Sequence, residues 1–299
     1  MGVELRQASA RARDIFELAD RLTGLPITRL AEQGPLERLT ATEIAQPALV
    51  ATSLAALAVL RDKTPGDWAP VAVAGHSVGE FAACVAAGAL DEEQALRLVH
   101  VRAQAMAGAC REVDGTMLAV LGLDPEPLRG ICEAVSGGHQ SVELANLNAP
   151  GQLVISGARG AVERAAEQAK AAGARRVLPL QVGGPFHSIY MRRAASALAE
   201  ALQAMPPRSA QIPLIANVSA APIRRPEDLA CELASQVYSP VRWSESLLEL
   251  SAMGCDRFVE VGPGNVLAGL VKRTLPEARV VSFGAPSDLD AARRLLSPE

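Results

Sequence analysis

Two kinds of hydrophobic pattern alternate along almost the whole chain: apolar residues at helical spacing, and short uninterrupted apolar runs. Helical spacing predicts helices over 14–22 and 46–60, and a short apolar run predicts a strand over 71–74. Asp91 can cap the following helix, with Gln94 at the capping-box position. The alternation of strand and helix predicts an α/β fold.

The elements between residues 112 and 183 follow a different order. Strands are predicted over 117–121, 142–145, 153–155 and 176–182, and helices over 125–135 and 161–172. The resulting order β-α-β-β-α-β is that of a split βαβ, or ferredoxin-like, unit. Helices and strands then alternate again up to residue 283. We therefore expect an α/β body made of residues 1–111 and 184–299, interrupted by a small inserted subdomain at 112–183.

A candidate nucleophile follows the strand predicted over 71–74. Residues 75–79 read Gly-His-Ser-Val-Gly and lead into a segment of helix-forming composition. Gly-x-Ser-x-Gly between a strand and a helix is the sequence form of a nucleophile elbow, because its glycines permit a tight turn that exposes the serine hydroxyl. The helix N-terminus directs N–H groups at the place where an oxyanion would form. A glycine-rich turn that happens to contain a serine is the alternative, but the order of elements favours Ser77 as a nucleophile.

An activated serine needs a base, normally histidine, and the chain has 4 histidines. His76 is next to Ser77 on the elbow, so its side chain should point away from the hydroxyl. His100 lies in mid-helix and His139 in a turn, where structural roles are expected. His187 lies at the bend where the inserted subdomain returns the chain to the body. There it can face the cleft between the two parts, so we predict that His187 is the base.

The order of these residues argues against a standard α/β-hydrolase. That fold orders its triad as serine, then an acidic residue, then a late histidine. Here no histidine occurs after residue 187, although further strand–helix units follow.

Composition excludes several function classes. The net charge is −4 and no run of Lys or Arg occurs, so neither a nucleic-acid partner nor a polybasic membrane anchor is expected. The 5 cysteines form no Cys-x-x-Cys pair, so they are expected to be reduced and to bind no metal. No apolar signal segment is recognised, and no segment is judged long and apolar enough to span a bilayer. A cytoplasmic protein that works as a monomer is the expectation.

Motifs spread along the chain point to a known family. They occupy residues 75–80, 102–106, 146–152, 184–188 and 261–264, and read Gly-His-Ser-Val-Gly-Glu, Arg-Ala-Gln-Ala-Met, Asn-Leu-Asn-Ala-Pro-Gly-Gln, Gly-Pro-Phe-His-Ser and Val-Gly-Pro-Gly. Together they resemble malonyl-CoA:acyl carrier protein transacylases and the related acyltransferase domains of polyketide synthases, over residues 1 to about 283. The resemblance implies an α/β-hydrolase-like body with a parallel sheet and a ferredoxin-like small subdomain, in agreement with the pattern of elements.

The resemblance also implies a mechanism. Ser77 would take the malonyl group from malonyl-CoA as an ester and pass it to the phosphopantetheine thiol of an acyl carrier protein, with no bound cofactor. His187 corresponds to the general base, held by the backbone carbonyl of Gln236 in place of an acidic residue. Val78 follows the nucleophile, at the oxyanion position.

Substrate contacts are implied in the same way. Arg102 corresponds to the guanidinium that pairs with the malonyl carboxylate, although on its own it is one of 29 Lys and Arg residues, expected on a solvated helix face. Asn146 and Asn148 are expected to order a loop of the small subdomain over the site, and turn chemistry explains them equally well. Phe186 and Val78 accompany selectivity for an unbranched malonyl group.

One departure from the family bears on activity. Its members open with a strand and a Gly-Gln-Gly-Ser-Gln turn that supplies an oxyanion donor, and no Gly-Gln-Gly occurs here. A truncated start would explain this, and the loss of one such donor costs about a hundred- to a thousandfold in rate. Two alternatives therefore stay open: an acyl-thioester hydrolase on the same scaffold, which a retained Arg102 disfavours, and a catalytically impaired carrier-binding relic. The sequence does not distinguish a role in fatty-acid synthesis from a role in polyketide synthesis.

Overall fold

The computed structural model describes residues 1–64, 69–138 and 140–297. Its helices are α1 Val3–Ala8, α2 Ala10–Thr23, α3 Ile27–Gln33, α4 Leu36–Leu39, α5 Thr42–Lys63, α6 Gly79–Ala86, α7 Glu92–Cys110, α8 Pro125–Val135, α9 Arg159–Ala171, α10 Arg192–Ala204, α11 Pro226–Ser235, α12 Trp243–Ala252, α13 Val266–Thr274 and α14 Leu289–Leu296. Its strands are β1 Val73–Ala74, β2 Gly115–Leu121, β3 Val142–Ala149, β4 Gln152–Ala158, β5 Arg176–Pro179, β6 Leu214–Ile215, β7 Pro222–Ile223, β8 Arg257–Val261 and β9 Arg279–Phe283.

The strands of the body pair in two groups. β1 pairs with β6 in parallel, and β7 adds to β6 in the antiparallel sense. β8 and β9 form a separate parallel pair. Helices lie between these strands in sequence, so the fold is α/β, as the alternating pattern predicts. The capping box at the start of α7, with Asp91 and Gln94, is formed as predicted.

The long helix α5 forms the centre of the largest core. It packs against α2, α6 and α7, and its buried side chains include Ile44, Leu54 and Leu60. By length and composition α5 could cross a membrane, with a mean hydropathy of 1.6, so the expectation that no segment could do so is wrong. Within the fold, 67% of that apolar stretch is buried inside the protein. Its apolar surface therefore serves the core.

The inserted segment forms an antiparallel sheet of its own. The strand order is β3-β4-β2-β5, and α8 and α9 pack against the sheet around a second apolar core. Strand β5 ends at Pro179, short of the predicted residue 182. Pro179 has no N–H to donate and Leu178 is 45% exposed, so β5 is a short edge strand.

A backbone bridge fixes this sheet to the body. The N–H of Leu147 in β3 donates to the carbonyl oxygen of Val241 at 2.9 Å, and the N–H of Val241 donates to that of Ala145 at 2.9 Å. The N–H of Ser141 donates to the Tyr190 hydroxyl at 2.9 Å. The two bonds to Val241 lie along the edge strand β3 and hold the small sheet against the segment between α11 and α12.

Candidate active site

Ser77 lies on a strained turn between β1 and α6. Its backbone φ of 52° is in the left-handed region, which residues other than glycine rarely adopt. The turn is so tight that a Cβ on Gly75 would lie 2.2 Å from the carbonyl carbon of Gly79. Asn217, which follows the neighbouring strand β6, holds this turn in place. Its Oδ1 accepts from the N–H of Ser77 at 2.7 Å, and its Nδ2 donates to the Gly75 carbonyl at 2.7 Å. The turn has the form of a nucleophile elbow.

The fold brings His187 and Ser77 together, although 110 residues separate them in sequence. His187 Nε2 lies 2.7 Å from Ser77 Oγ. On the other side of the ring, Nδ1 lies 2.7 Å from the carbonyl oxygen of Gln236 and 3.1 Å from that of Ser239. Carbonyl oxygens only accept, so Nδ1 carries the hydrogen and Nε2 is free to accept the proton of the serine hydroxyl.

The protonation state of His187 suits that role. Its side chain is buried, with 4% exposure. Burial first, and then the positive charge of Arg102, lowers the pKa of His187 to about 3. The ring is therefore neutral near pH 7 and can take a proton.

Arg102 is a buried cation directly beside Ser77. It projects from α7 and is 1% exposed, in contrast with the solvated helix face that composition alone predicts. Its Nη2 donates to Ser77 Oγ at 3.0 Å and to Gln236 Oε1 at 2.9 Å, and its Nη1 donates to Gln46 Oε1 at 2.5 Å. These partners are all neutral. Burial lowers the pKa of Arg102 to about 10, which leaves the guanidinium charged near pH 7. Such a charge favours an anionic group next to Ser77.

The two predicted asparagines lie in strand β3, not in the turn that follows it. Asn148 Oδ1 lies 2.8 Å from His76 Nε2, and the His76 ring packs edge-on against Trp243 at 5.3 Å. The His76 side chain therefore contacts the small sheet, while Ser77 contacts His187. Asn146 is 6% exposed and forms the backbone bridge to Val241. The prediction that these residues order a loop over the site stays a prediction.

The remaining candidates surround the Ser77–His187 pair. Phe186 directly precedes His187 and packs against the apolar cores of both parts of the chain. Val78 is the N-cap residue of α6, where the helix dipole favours negative charge. His100 is half-buried on α7, and His139 lies outside the described residues.

Sequence reasoning missed Asn217 and the side chains of Gln46, Glu80 and Gln236. Asn217 follows β6, the strand that pairs with β1, and polar residues at the carboxyl ends of neighbouring parallel strands meet at one edge of a sheet. That rule could have found it. Gln46 is a buried polar residue within the apolar pattern of α5, and nothing in the sequence marks its partner.

No metal centre accompanies this site in the part of the chain that the structure describes. No group of three or more His, Cys, Asp and Glu side chains there could hold an ion. The cysteines Cys84, Cys110, Cys132, Cys231 and Cys255 are free.

Comparison with known proteins places the chain. Residues 1–288 match the model of the acyl transferase domain family. A malonyl CoA-acyl carrier protein transacylase of Bacillus subtilis is 41% identical over 299 residues, which cover 100% of this chain and 93% of that protein. The protein of the same name from Escherichia coli is 39% identical over 282 residues, 94% of this chain and 90% of that one.

Solved structures agree with the sequence matches. A malonyl CoA-acyl carrier protein transacylase from Coxiella burnetii superposes with a TM-score of 0.94 at 34% identity, covering 99% of this chain and 93% of that chain. A malonyl-transacylase solved in complex with a type II PKS acyl-carrier protein gives a TM-score of 0.93 at 38% identity, covering 98% and 94%. The resemblance seen in the sequence motifs is confirmed: the chain belongs to the acyl transferase domain family, within which it is similar to malonyl CoA-acyl carrier protein transacylases.

Proposed function

We propose that this protein transfers a malonyl group from malonyl-CoA to the phosphopantetheine thiol of an acyl carrier protein, through an ester on Ser77. One observation carries the proposal: a single hydroxyl, Ser77 Oγ, lies 2.7 Å from a neutral His187 and 3.0 Å from the buried guanidinium of Arg102. The first contact supplies a base, and the second supplies a cation for a substrate carboxylate. Acyl transfer by the similar proteins named above supports the same conclusion.

The chemistry proceeds in two balanced half-reactions. As Ser77 Oγ attacks the thioester carbonyl, His187 Nε2 accepts the hydroxyl proton, and the oxyanion forms near Val78 at the N-terminus of α6. The C–S bond breaks, and the coenzyme A thiolate takes the proton from His187. In the second half, His187 accepts the proton of the carrier thiol, the thiolate attacks the ester, and Ser77 leaves with that proton.

Arg102 selects the acyl group. A guanidinium offers two parallel N–H groups to a carboxylate, and malonyl carries its carboxylate one methylene away from the reacting carbonyl. The pairing also changes the base. The charge of Arg102 lowers the pKa of His187, so a bound carboxylate that offsets this charge raises the basicity of His187. An acetyl group lacks the carboxylate and gains neither effect.

We also assign to this chain the two-part architecture that its resemblance to the family implies. Residues 1–111 and 184–299 form an α/β-hydrolase-like body, and residues 112–183 form a ferredoxin-like subdomain, supported by the strand order β3-β4-β2-β5 and by its separate core. Asn146, Asn148 and Phe186 bound the site on the side of the small subdomain. The reaction needs no cofactor, because serine, histidine and arginine supply its nucleophile, base and charge. We assign the protein to the cytoplasm.

Ser77 is expected to become acylated. The wild-type chain incubated with malonyl-CoA should show a malonyl adduct by intact mass, and Ser77→Ala should show none. His187→Ala should slow acylation by about a hundred- to ten-thousandfold, since it removes the base. Ser196→Ala, an exposed serine on α10, is the matched control and should behave as wild type. An adduct that persists in Ser77→Ala would contradict the assignment. Malonate release that is unaffected by carrier protein would identify a hydrolase.

Arg102→Ala is expected to change substrate preference. The kcat/KM for malonyl-CoA should fall by an amount that corresponds to about 2–5 kcal/mol of lost transition-state stabilisation. The kcat/KM for acetyl-CoA should fall much less. Arg102→Lys should restore only part of the loss, because an ammonium cannot make the two-pronged contact. Arg97→Ala, an exposed arginine on the same helix, should leave the ratio unchanged. An equal loss for the two thioesters would show that Arg102 is structural.

The acid limb of the pH profile is expected to lie well below the ordinary histidine range. His187 acts as a base only when its ring is neutral. Its lowered pKa keeps the ring neutral down to pH values well below 6.5, the ordinary pKa of histidine. The kcat/KM for acylation, which reports the protein before malonyl-CoA binds, should therefore stay level as pH falls through 6.5. In Arg102→Ala the lowering charge is absent, so the limb should move to higher pH.

Folding stability must be measured as a control for that pH profile. Because the pKa of buried His187 is lower in the folded than in the unfolded state, folding stability should decrease as pH falls below about 6.5. Circular dichroism at each pH separates unfolding from loss of the base. A wild-type limb near 6.5 in a folded protein would contradict the neutral-base scheme.

A further inference from the structure

One buried carboxyl group outside the reacting set contacts both halves of the site. Glu80 lies in the first turn of α6, three residues after Ser77, and is 0% exposed. Its Oε1 accepts from the backbone N–H of Asn217 at 2.8 Å and from Asn217 Nδ2 at 2.7 Å. Its Oε2 accepts from Gln236 Nε2 at 3.0 Å. The two residues that it contacts hold different catalytic groups.

The contact with Asn217 sets the orientation of the amide that clamps the elbow. Glu80 Oε1 and the carbonyl oxygen of Gly75 are both acceptors, so they require the Nδ2 end of the Asn217 amide. The Oδ1 end is thereby left to accept from the N–H of Ser77. A rotated amide would place a donor against this N–H and release the left-handed turn.

The contact with Gln236 sets a second amide in the same way. Gln236 Nε2 donates to Glu80 and to the carbonyl oxygen of Ser77, which leaves Oε1 to accept from Arg102 Nη2. The backbone carbonyl of the same residue accepts from His187 Nδ1. One glutamine thus connects the nucleophile, the base and the guanidinium, and Glu80 determines which end of its side chain faces Arg102.

A second buried carboxyl group lies close to Glu80. Glu232 on α11 is 6% exposed and lies close enough to Glu80 for the two carboxyls to influence each other. Burial, and then the proximity of Glu232, raises the pKa of Glu80 well above its usual range, and burial raises the pKa of Glu232 as well. Both carboxyls therefore hold their protons to higher pH than exposed carboxyls do, and Glu80 lies near the positive charge of Arg102.

We propose that Glu80 is a positioning residue for acyl transfer, which fixes the amide orientations of Asn217 and Gln236 and through them the elbow of Ser77 and the guanidinium of Arg102. The inference rests on the proposed function for its substrate.

Glu80→Gln tests the proposal with almost no change of volume. The new amide can offer its oxygen to Asn217 only by turning its Nε2 toward the Nε2 of Gln236, where two donors oppose each other. If Gln236 rotates to relieve this, it presents a donor to Arg102. We therefore expect malonyl acylation of Ser77 to slow by about a hundredfold, as small misplacements do, and the malonyl-to-acetyl ratio to fall.

Glu260→Gln is the matched control. The Glu260 carboxylate on β8 accepts from the backbone N–H groups of Leu267 and Ala268 at the start of α13, away from Ser77. It should lower Tm and leave both the acylation rates and their ratio unchanged. Unchanged rates and ratio in a folded Glu80→Gln protein, or an equal loss for malonyl-CoA and acetyl-CoA, would overturn the proposal.

Two further variants serve if Glu80→Gln does not fold. Asn217→Ala should slow malonyl-CoA and acetyl-CoA alike, because it releases the elbow. Gln236→Ala should slow malonyl-CoA more than acetyl-CoA, because it releases Arg102. Wild-type rates in both variants, or the same pattern in both, would overturn the proposal.

The wild-type arm separates this inference from the proposed function. An absent malonyl adduct on wild type counts against malonyl transfer, whereas a normal adduct on wild type and on Glu80→Gln alike counts against Glu80 alone. Labelling of Ser77 by a fluorophosphonate probe reports the elbow without any acyl substrate. It should be slower in Glu80→Gln than in wild type or Glu260→Gln, and equal labelling of all three would overturn the role of Glu80 at the elbow.

Discussion

Ser77 must keep a left-handed backbone, with a φ of 52°, and the arrangement of its neighbours follows from that requirement. Such a conformation costs of order 1–3 kcal/mol and persists only where surrounding contacts fix it. Here the clamp comes from amide side chains on other segments, Asn217 after β6 and Gln236 after α11. The Ser77 hydroxyl is therefore presented by the tertiary structure as a whole, and the Gly-x-Ser-x-Gly turn alone would not hold it.

Electrostatic opposition is the second feature of the site. A buried guanidinium that attracts a carboxylate also lowers the pKa of the neighbouring His187. In the free protein the two proposed functions compete, since the cation proposed to bind the substrate weakens the proposed base. In the proposed mechanism a malonyl group resolves this conflict, because its carboxylate would offset the charge of Arg102. Under this proposal, the substrate that pairs with the cation is also the one that restores the base, so binding and chemistry favour the same acyl group.

Much of the fold was predictable from local pattern, because long helices and apolar strands carry strong periodic signals. α5 contains its predicted segment, α7 begins after its predicted cap at Asp91, and the small sheet has the predicted order of elements. Errors arose where tertiary context decides. β5 stops at Pro179, and Asn148 belongs to β3 because that strand continues over the body through the bridge to Val241. The short helices α1, α3 and α4 were not predicted, since brief elements have little periodicity.

The site was predictable as far as motifs reach. Ser77 and His187 stand in recognisable local sequences, whereas Arg102 would pass for a surface residue without the family resemblance. The amides of Gln46, Asn217 and the Gln236 side chain lie in segments far from Ser77 in sequence. Hydrogen bonds between such distant segments leave no spacing pattern, so only the folded structure brings them together.

A structure of the acyl-enzyme is the most direct test of the account. Crystals of the wild-type protein exposed to malonyl-CoA without a carrier protein should contain a malonyl ester on Ser77 Oγ. Its carboxylate oxygens should lie within about 3 Å of the guanidinium nitrogens of Arg102, at the distance of charge-assisted hydrogen bonds. An ester on another residue, or a carboxylate turned away from Arg102 toward solvent, would contradict the account.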